Sequence, residues 1–345
     1  MEKVVTQGAC RAMSVIPPPP TNKGNTGAAG EASPGVAFAA RFLAFGEPRQ
    51  PGMAVRAPLH PAEEDQFFAA PVSLADITPP PLPEAYLALR RVTQNPMSSD
   101  ADVAAVISRD PALAAYVLRL ANSPLFSPSA RVETVTRAVA VIGLGEIETM
   151  AASSMLARAF DKTPKPELLS MDDFWRHAVA VGLLARALAE RVGERGGERY
   201  FVAGLLHDMG RLMLAVAEPG LSGAALGRTL GRKLSMDAAE RLELGFDHAA
   251  LGGRIAVKWR LPDTLCQAVA AHHDPGLCPE NPIAAAVHAA DFMANALGVR
   301  VLPTGGFPRL DERVLPLFNL VEAEPEAFWE ILTDGLAAMT ALVAP

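Results

Sequence analysis

From about residue 79 onward, apolar residues recur at spacings of three and four, the period of a helix with one buried face. Leu82, Tyr86, Leu89 and Val92 share one face of a segment over 83–93, which Asn95-Pro96 ends. Ser99 or Asp100 can cap a second helix that runs through Ile107. Asp110 followed by Pro111 reads as an N-cap with proline in the first helical position, and Leu113, Val117 and Leu120 face inward until Asn122-Ser123-Pro124 closes the helix. The same periodicity predicts helices over 134–142, 146–160, 171–192, 199–217, 221–229, 235–244, 249–259, 263–273, 282–297 and 325–343. Alternation of period two is almost absent and the connections are short, so the predicted fold class is all-α, a multi-helix bundle.

The first 78 residues break this pattern. Four consecutive prolines, Pro17 to Pro20, lead into Thr21-Asn22-Lys23-Gly24-Asn25-Thr26-Gly27 and then scattered Gly, Pro and Ala. Such a composition buries too little apolar surface to offset ordering entropy, so 1–78 reads as a disordered low-complexity N-terminal tail with at most a transient helix over 37–45. The predicted organisation is that tail, then a domain over 79–297 with helical halves 79–160 and 161–297, then a C-terminal helical extension over 298–345.

The chain has 345 residues, half of them apolar, enough for a sizeable core. A formal net charge of -7 offers no basic surplus, so direct nucleic-acid binding is not expected. Cys10, Cys266 and Cys278 form no CxxC pair and no even set, which argues against a disulfide framework and fits a reducing cytosol. Charged residues or proline interrupt every apolar run before it reaches the ~20 residues of a membrane span, and the N-terminus lacks the pattern of a secretory signal. The expectation is a cytoplasmic protein without a membrane partner.

The chemistry lies in the histidines. All but one of the seven fall between residues 177 and 288. His177 comes early in its helix after Asp172-Asp173, which complement that helix's N-terminal dipole. His207-Asp208 follows the apolar run Ala203-Gly204-Leu205-Leu206, His248 follows Gly245-Phe246-Asp247, His272-His273 closes the helix begun near Asp263, and Asp291 stands one turn after His288. His60, alone in the tail, reads as an ordinary residue, and no phosphate-binding glycine loop or serine nucleophile elbow occurs.

Two stretches carry a family resemblance. Leu82-Pro83, Val106-Ile107-Ser108-Arg109-Asp110-Pro111-Ala112-Leu113, Leu118-Arg119-Leu120-Ala121-Asn122-Ser123, Thr134, Ala138 and Ile142-Gly143-Leu144-Gly145 together resemble the HDOD family. The order His, His-Asp, His, His-His, Asp resembles the wider HD superfamily, in which imidazoles and bridging carboxylates hold one or two divalent metals. The resemblance implies a metal set of His177, His207, Asp208, His248, His272, His273 and Asp291, with Asp208 bridging and iron, manganese or zinc as the ion. His288 would be a supporting partner or a substitute ligand. Two such ions can activate water for attack on a phosphoester, with Asp208 central to catalysis.

The departures bear on function. HD-GYP phosphodiesterases, which the second half also resembles, carry lysine where this chain has Arg211, a permanent cation able to clamp phosphate. The Gly-Tyr-Pro element of cyclic-di-GMP hydrolases is missing from His272-His273-Asp274-Pro275-Gly276-Leu277-Cys278-Pro279. The resemblance is strongest in the non-catalytic half. It therefore implies a signal-transduction protein acting as an interaction or output module on signalling partners, ahead of a metal-dependent phosphohydrolase or a metal or nucleotide sensor without turnover.

Overall fold

The computed structural model describes residues 34–46, 77, 79, 84–93, 95–122, 126, 130–144, 147, 166, 168–194, 196–232, 234–302 and 307–343. In chain order the helices are α1 (Pro34–Gly46), α2 (Glu84–Thr93), α3 (Asp100–Ile107), α4 (Pro111–Ala121), α5 (Val135–Ile142), α6 (Met171–Arg191), α7 (Gly197–Leu206), α8 (Met209–Ala217), α9 (Pro219–Arg232), α10 (Met236–Leu244), α11 (His248–Lys258), α12 (Asp263–Ala270), α13 (Pro282–Ala296) and α14 (Pro325–Val343). Short 3-10 turns sit at Pro275–Leu277, Glu312–Val314 and Pro316–Phe318, and there is no β-strand among the described residues. The all-α bundle read from the sequence is the fold observed.

Local chemistry starts these helices where the punctuation predicts. Ser99 and Asp102 form a reciprocal capping box at α3. Asp110 Oδ1 accepts the Leu113 N–H at 3.1 Å, and Thr134 Oγ1 accepts that of Arg137 at 3.2 Å. Each such cap is worth about 1 kcal/mol. Asn122 does more than stop α4. Its amide donates to Leu118 O and Val132 O, and its Oδ1 accepts from Val132 N, all at 2.8 Å, which ties the α4 exit to the approach to α5. The Ala121-Asn122 part of the family motif is thus a structural clamp.

Helices α2 to α5 pack on one another, while α6 runs through the second half against α7, α13 and α14. The crossing of α6 and α7 is closer than any side chain permits, since a Cβ on Gly204 would lie 2.7 Å from Gly182 Cα. That approach brings the α6 residue His177 beside the end of α7. The remaining helices pair as α8 with α11, α9 with α10, and α12 with both α11 and α13.

Three expectations need correction. The helix predicted over 199–217 is broken at His207-Asp208 into α7 and α8, so the pair sits at a corner with both residues buried. His272 and His273 lie in the turn after α12 and do not close that helix. Residues 34–46, placed by the sequence in the tail, form a packed helix. Phe38 and Phe42 of α1 are fully buried, with Phe38 6.2 Å from the Phe292 ring and Phe42 5.8 Å from that of Phe328. Arg41 donates to Val321 O and Ala323 O. Truncating a buried phenylalanine leaves a cavity. Phe38→Ala should therefore lower unfolding free energy by about 3 kcal/mol in a urea titration; a change within error would mean α1 is not docked on α13.

The stretch 199–217, with a window of mean hydropathy 1.2, is long and apolar enough to cross a membrane by length and composition, but 83% of that window is buried inside the bundle. Its apolar character belongs to the core around His207. The helix expected over 146–160, most of 1–78 with Pro17 to Pro20, Cys10 and His60, and Leu82-Pro83, Ser123 and Gly145 lie outside the described residues.

Candidate metal centre

Five segments converge at the α7–α8 corner. His177 comes from α6, His207 and Asp208 from the corner, His248 from the first residue of α11, His272 and His273 from the turn after α12, and Asp291 from α13. His207, His248 and His272 are fully buried, and His177, Asp208 and Asp291 are at most 5% exposed. Every residue read from the sequence as a ligand is brought to one place.

The hydrogen bonds fix the tautomers. A backbone carbonyl only accepts, so each ring nitrogen that contacts one carries a proton. His177 Nδ1 donates to Val299 O at 2.8 Å, His207 Nδ1 to Gly204 O at 2.6 Å and His272 Nδ1 to Val269 O at 2.8 Å. On all three rings the Nε2 lone pair then faces the interior of the site. His207 Nε2 and His272 Nε2 have no hydrogen-bond partner although both rings are wholly buried. Buried unpartnered acceptors are destabilising unless a ligand completes them.

The acceptors also face one another. His177 Nε2 lies 3.1 Å from Asp291 Oδ1, and His207 Nε2 lies 3.6 Å from Asp208 Oδ2 and 3.9 Å from Asp291 Oδ1. A lone pair set against a carboxylate at this range repels unless a cation lies between them. Cis ligands around an ion at about 2.1 Å are themselves about 3.0 to 3.4 Å apart, so the spacing fits a divalent metal. Two ligand groups can be drawn, His177 with His207 and Asp208, and His248 with His272 and His273.

Supporting residues hold these groups in place. His248 Nδ1 contacts Glu240 Oε2 at 2.5 Å, and the same oxygen accepts the His248 backbone N–H at 2.8 Å. Asn295 Nδ2 donates to Asp291 Oδ1 at 2.8 Å. Arg241 bridges Asp237 and Asp247, and Asp247 caps α11 by accepting the Ala250 N–H at 2.8 Å. Partners of this kind orient metal-binding imidazoles and carboxylates. His288 is not a ligand. Its Nδ1 donates to His272 O and its Nε2 accepts the Asp311 N–H, both at 2.8 Å, so both nitrogens are used and the ring steadies the His272 backbone.

Electrostatics keep the set, His248 apart, in its ligating form. Burial would raise the carboxyl pKa values, but Arg211, His207 and His248 hold Asp208 well below the usual range, and His177 and His207 bring Asp291 to about 2. Burial, with neighbouring rings, depresses His272 to about 3 and His273 well below its ordinary value. Burial likewise lowers His207, against Asp208 and Asp291. Burial disfavours charge on His248, yet Glu240 outweighs it and lifts that ring to about 10. A pKa so raised favours the doubly protonated ring, whereas the Arg211 guanidinium, which only donates, lies 3.2 Å from Nε2 and needs a lone pair there; the contact geometry sets His248 as the neutral ring with its proton on Nδ1.

A stability consequence follows for metal-free protein. His207, His272 and His273 stay neutral in the fold while their unfolded counterparts take up protons below about pH 6.5. The unfolded state then binds more protons, and stability falls as pH drops from about 6.5 toward the depressed folded values. Each group contributes a loss of up to about 1.4 kcal/mol per pH unit. Thermal melts in chelator should show a clear fall between pH 6.5 and 5; a flat profile there would contradict neutral buried rings.

Beside the centre opens a cleft lined by Arg211, Asp237, His273, Asp291, Asn295 and Arg300 among others. Arg300 stacks 4.1 Å over the Phe307 ring at its wall. Glu240, Asn295, Asp237 and Arg300 went unnoticed in the sequence. Only Asn295, one turn after Asp291, had a positional signal.

Comparison with known proteins agrees with this architecture. The HDOD domain family model matches residues 80–275. An HDOD domain protein of unknown function from Geobacter sulfurreducens superposes with a TM-score of 0.59 at 25% identity, covering 76% of this chain and 86% of that one. A provisionally named phosphohydrolase from Shewanella amazonensis gives 0.60 at 25% identity, over 77% and 95%. An uncharacterized protein of Treponema pallidum is 27% identical over 203 residues, which is 58% of this chain and 39% of that relative's length. With the family match spanning more than half of the residues and the same helical architecture in its neighbours, the chain belongs to the HDOD domain family.

Proposed function

We propose that this HDOD protein is a signal-transduction component whose core is a divalent-metal centre, and that the centre binds and hydrolyses a phosphoester presented through the adjoining cleft. The observation that carries the reading is the pair of buried Nε2 atoms, on His207 and His272, that have no partner while their Nδ1 atoms are anchored. Each such nitrogen can donate its lone pair to a cation. His177, His207, Asp208 and Asp291 would hold an ion of iron, manganese or zinc character, with mixed imidazole and carboxylate donors suiting any of the three. Such an ion supplies Lewis acidity toward a phosphoryl oxygen and a water nucleophile at neutral pH.

The chain's own residues supply the rest. Asn295 fixes Asp291, and Glu240 fixes His248. Arg300, flat against Phe307 in the cleft wall, places positive charge where a phosphate would enter and an aromatic face beside it. The HDOD neighbours include a provisionally named phosphohydrolase and a provisionally named signal transduction protein, which supports this pairing of site and role.

Manganese-loaded protein assayed with bis(p-nitrophenyl) phosphate and p-nitrophenyl phosphate should release nitrophenol from at least one, with Asp208→Ala slower by about 100-fold or more. Metal-loaded protein without turnover on either would leave the other reading, an interaction module for signalling partners. That reading draws its support from Arg211, whose guanidinium is engaged within the centre.

A further inference from the structure

The two halves of the centre differ in what lies between their acceptors. In the half of His177, His207, Asp208 and Asp291, the closest groups are lone pairs and carboxylate oxygens; His207 Nε2 is unpartnered there, as His272 Nε2 is in the other half. In the half of His248, His272 and His273 a cation is already built in. Arg211 reaches back from α8, placing NH1 3.1 Å from Asp208 Oδ2 and NH2 3.2 Å from His248 Nε2. His248 Nε2 itself lies 3.1 Å from Asp208 Oδ1. The guanidinium thus spans the two groups that a second ion would have to bridge.

We propose that Arg211 is a fixed substitute for the second metal, so that this centre takes one divalent ion, in the half of His177, His207, Asp208 and Asp291. The inference rests on the metal-centre reading above and specifies its occupancy. Three features support it. Arginine cannot lose its proton to make room for an ion, and its planar fork fits a carboxylate and an imidazole side by side. The His248 lone pair is engaged twice, by Arg211 and by His273 Nε2 at 2.8 Å. His273 must carry its proton on Nε2 to make that contact, because His248 Nδ1 is committed to Glu240, and a protonated nitrogen is no ligand. An ion entering this half would have to expel the guanidinium, change the His273 tautomer and sit beside a permanent positive charge held by Asp208. On the His177 side no tautomer has to change, since His177 and His207 already donate through Nδ1, and Arg211 reaches that half only through Asp208 Oδ2.

The cleft gains a consequence. Arg211 and His273 line it beside Asp291, so a ligand arriving through the cleft meets a guanidinium and an imidazole ring in place of a second ion.

The test is a manganese(II) titration of chelator-stripped full-length chain, followed by calorimetry and by elemental analysis of the desalted protein. Wild type should bind one equivalent and give the electron paramagnetic resonance spectrum of isolated ions. Arg211→Met, which keeps the side-chain length without the charge, should bind two and show exchange coupling, and the added His248→Ala change should return it to one. Arg211→Gln serves if the methionine variant melts as unfolded. Two equivalents in the wild type, or one in both Arg211 variants, would overturn the inference and leave the metal centre standing. No binding by the wild type would remove the metal centre itself.

Discussion

Chelation should lower the melting temperature of the wild-type protein by on the order of 10 °C and leave that of Asp208→Ala unchanged. An ion that binds only the folded chain stabilises it by mass action, and at a thousandfold excess over its dissociation constant the gain is about 4 kcal/mol. In a fold of this size each kcal/mol moves the midpoint by about 2 to 4 °C. Asp208 would be the ligand through which the centre is most exposed to loss, because its oxygens face His207, His248 and Arg211 at 3.6, 3.1 and 3.1 Å. Without it the two halves share no donor. The variant starts from a lower baseline, since Arg211 and His248 lose their carboxylate, so the informative quantity is the chelator-sensitive increment. Equal increments in both proteins would place the stabilising ion elsewhere.

Gly210→Ala should destabilise the fold by about 3 kcal/mol or more, whereas Gly227→Ala should be neutral or stabilising by up to about 1 kcal/mol. Gly210 lies on α8 two residues after Asp208, against the start of α11. A Cβ there would stand 2.0 Å from His248 O and 2.6 Å from Gly252 N, and both are backbone atoms that cannot rotate away. Relief requires α8 and α11 to separate, which draws His248 from Asp208 and loosens the Arg211 bridge. Gly227, on α9, has nothing within 4 Å of its Cβ position, so alanine gains helix propensity there without a clash. Urea titrations of the two variants separate close helix contact from a general effect of alanine. A neutral Gly210→Ala would mean that α8 and α11 are further apart than described.

Much of the fold was legible because amphipathic periodicity is local. The helix at 325–343 and the Asp110-Pro111 start of α4 came from short windows and hold in three dimensions. The break at His207-Asp208 was not legible, since the run from 199 to 217 keeps its apolar helical period across the pair, while in the fold its first part packs on α6 and α13 and its second on α11. The candidate set was named from residue type and order, which the resemblance supplied, and the fold brings its members together. Its support was not named. Glu240 sits in Met236-Asp237-Ala238-Ala239-Glu240-Arg241, which reads as a charged helix face, yet it is fully buried against His248. Arg211 was read as a candidate phosphate clamp by its place after the His-Asp pair; sequence order says nothing of direction, and the side chain both lines the cleft and reaches Asp208 and His248. The α1 segment failed for another reason: a short apolar run flanked by glycine and proline has no partner in its own neighbourhood, and the partners of Phe38 and Phe42 lie some 250 residues or more away at Phe292 and Phe328.

The central claim is that the buried, unpartnered imidazole nitrogens hold a metal ion. Elemental mass spectrometry of chain purified without an affinity tag, beside the His207→Ala/Asp208→Ala variant, tests it most directly. Near-stoichiometric iron, manganese or zinc in the wild type and background levels in the variant is the result this account predicts. A wild type that is empty as purified and stays empty after incubation with each of the three ions would contradict it.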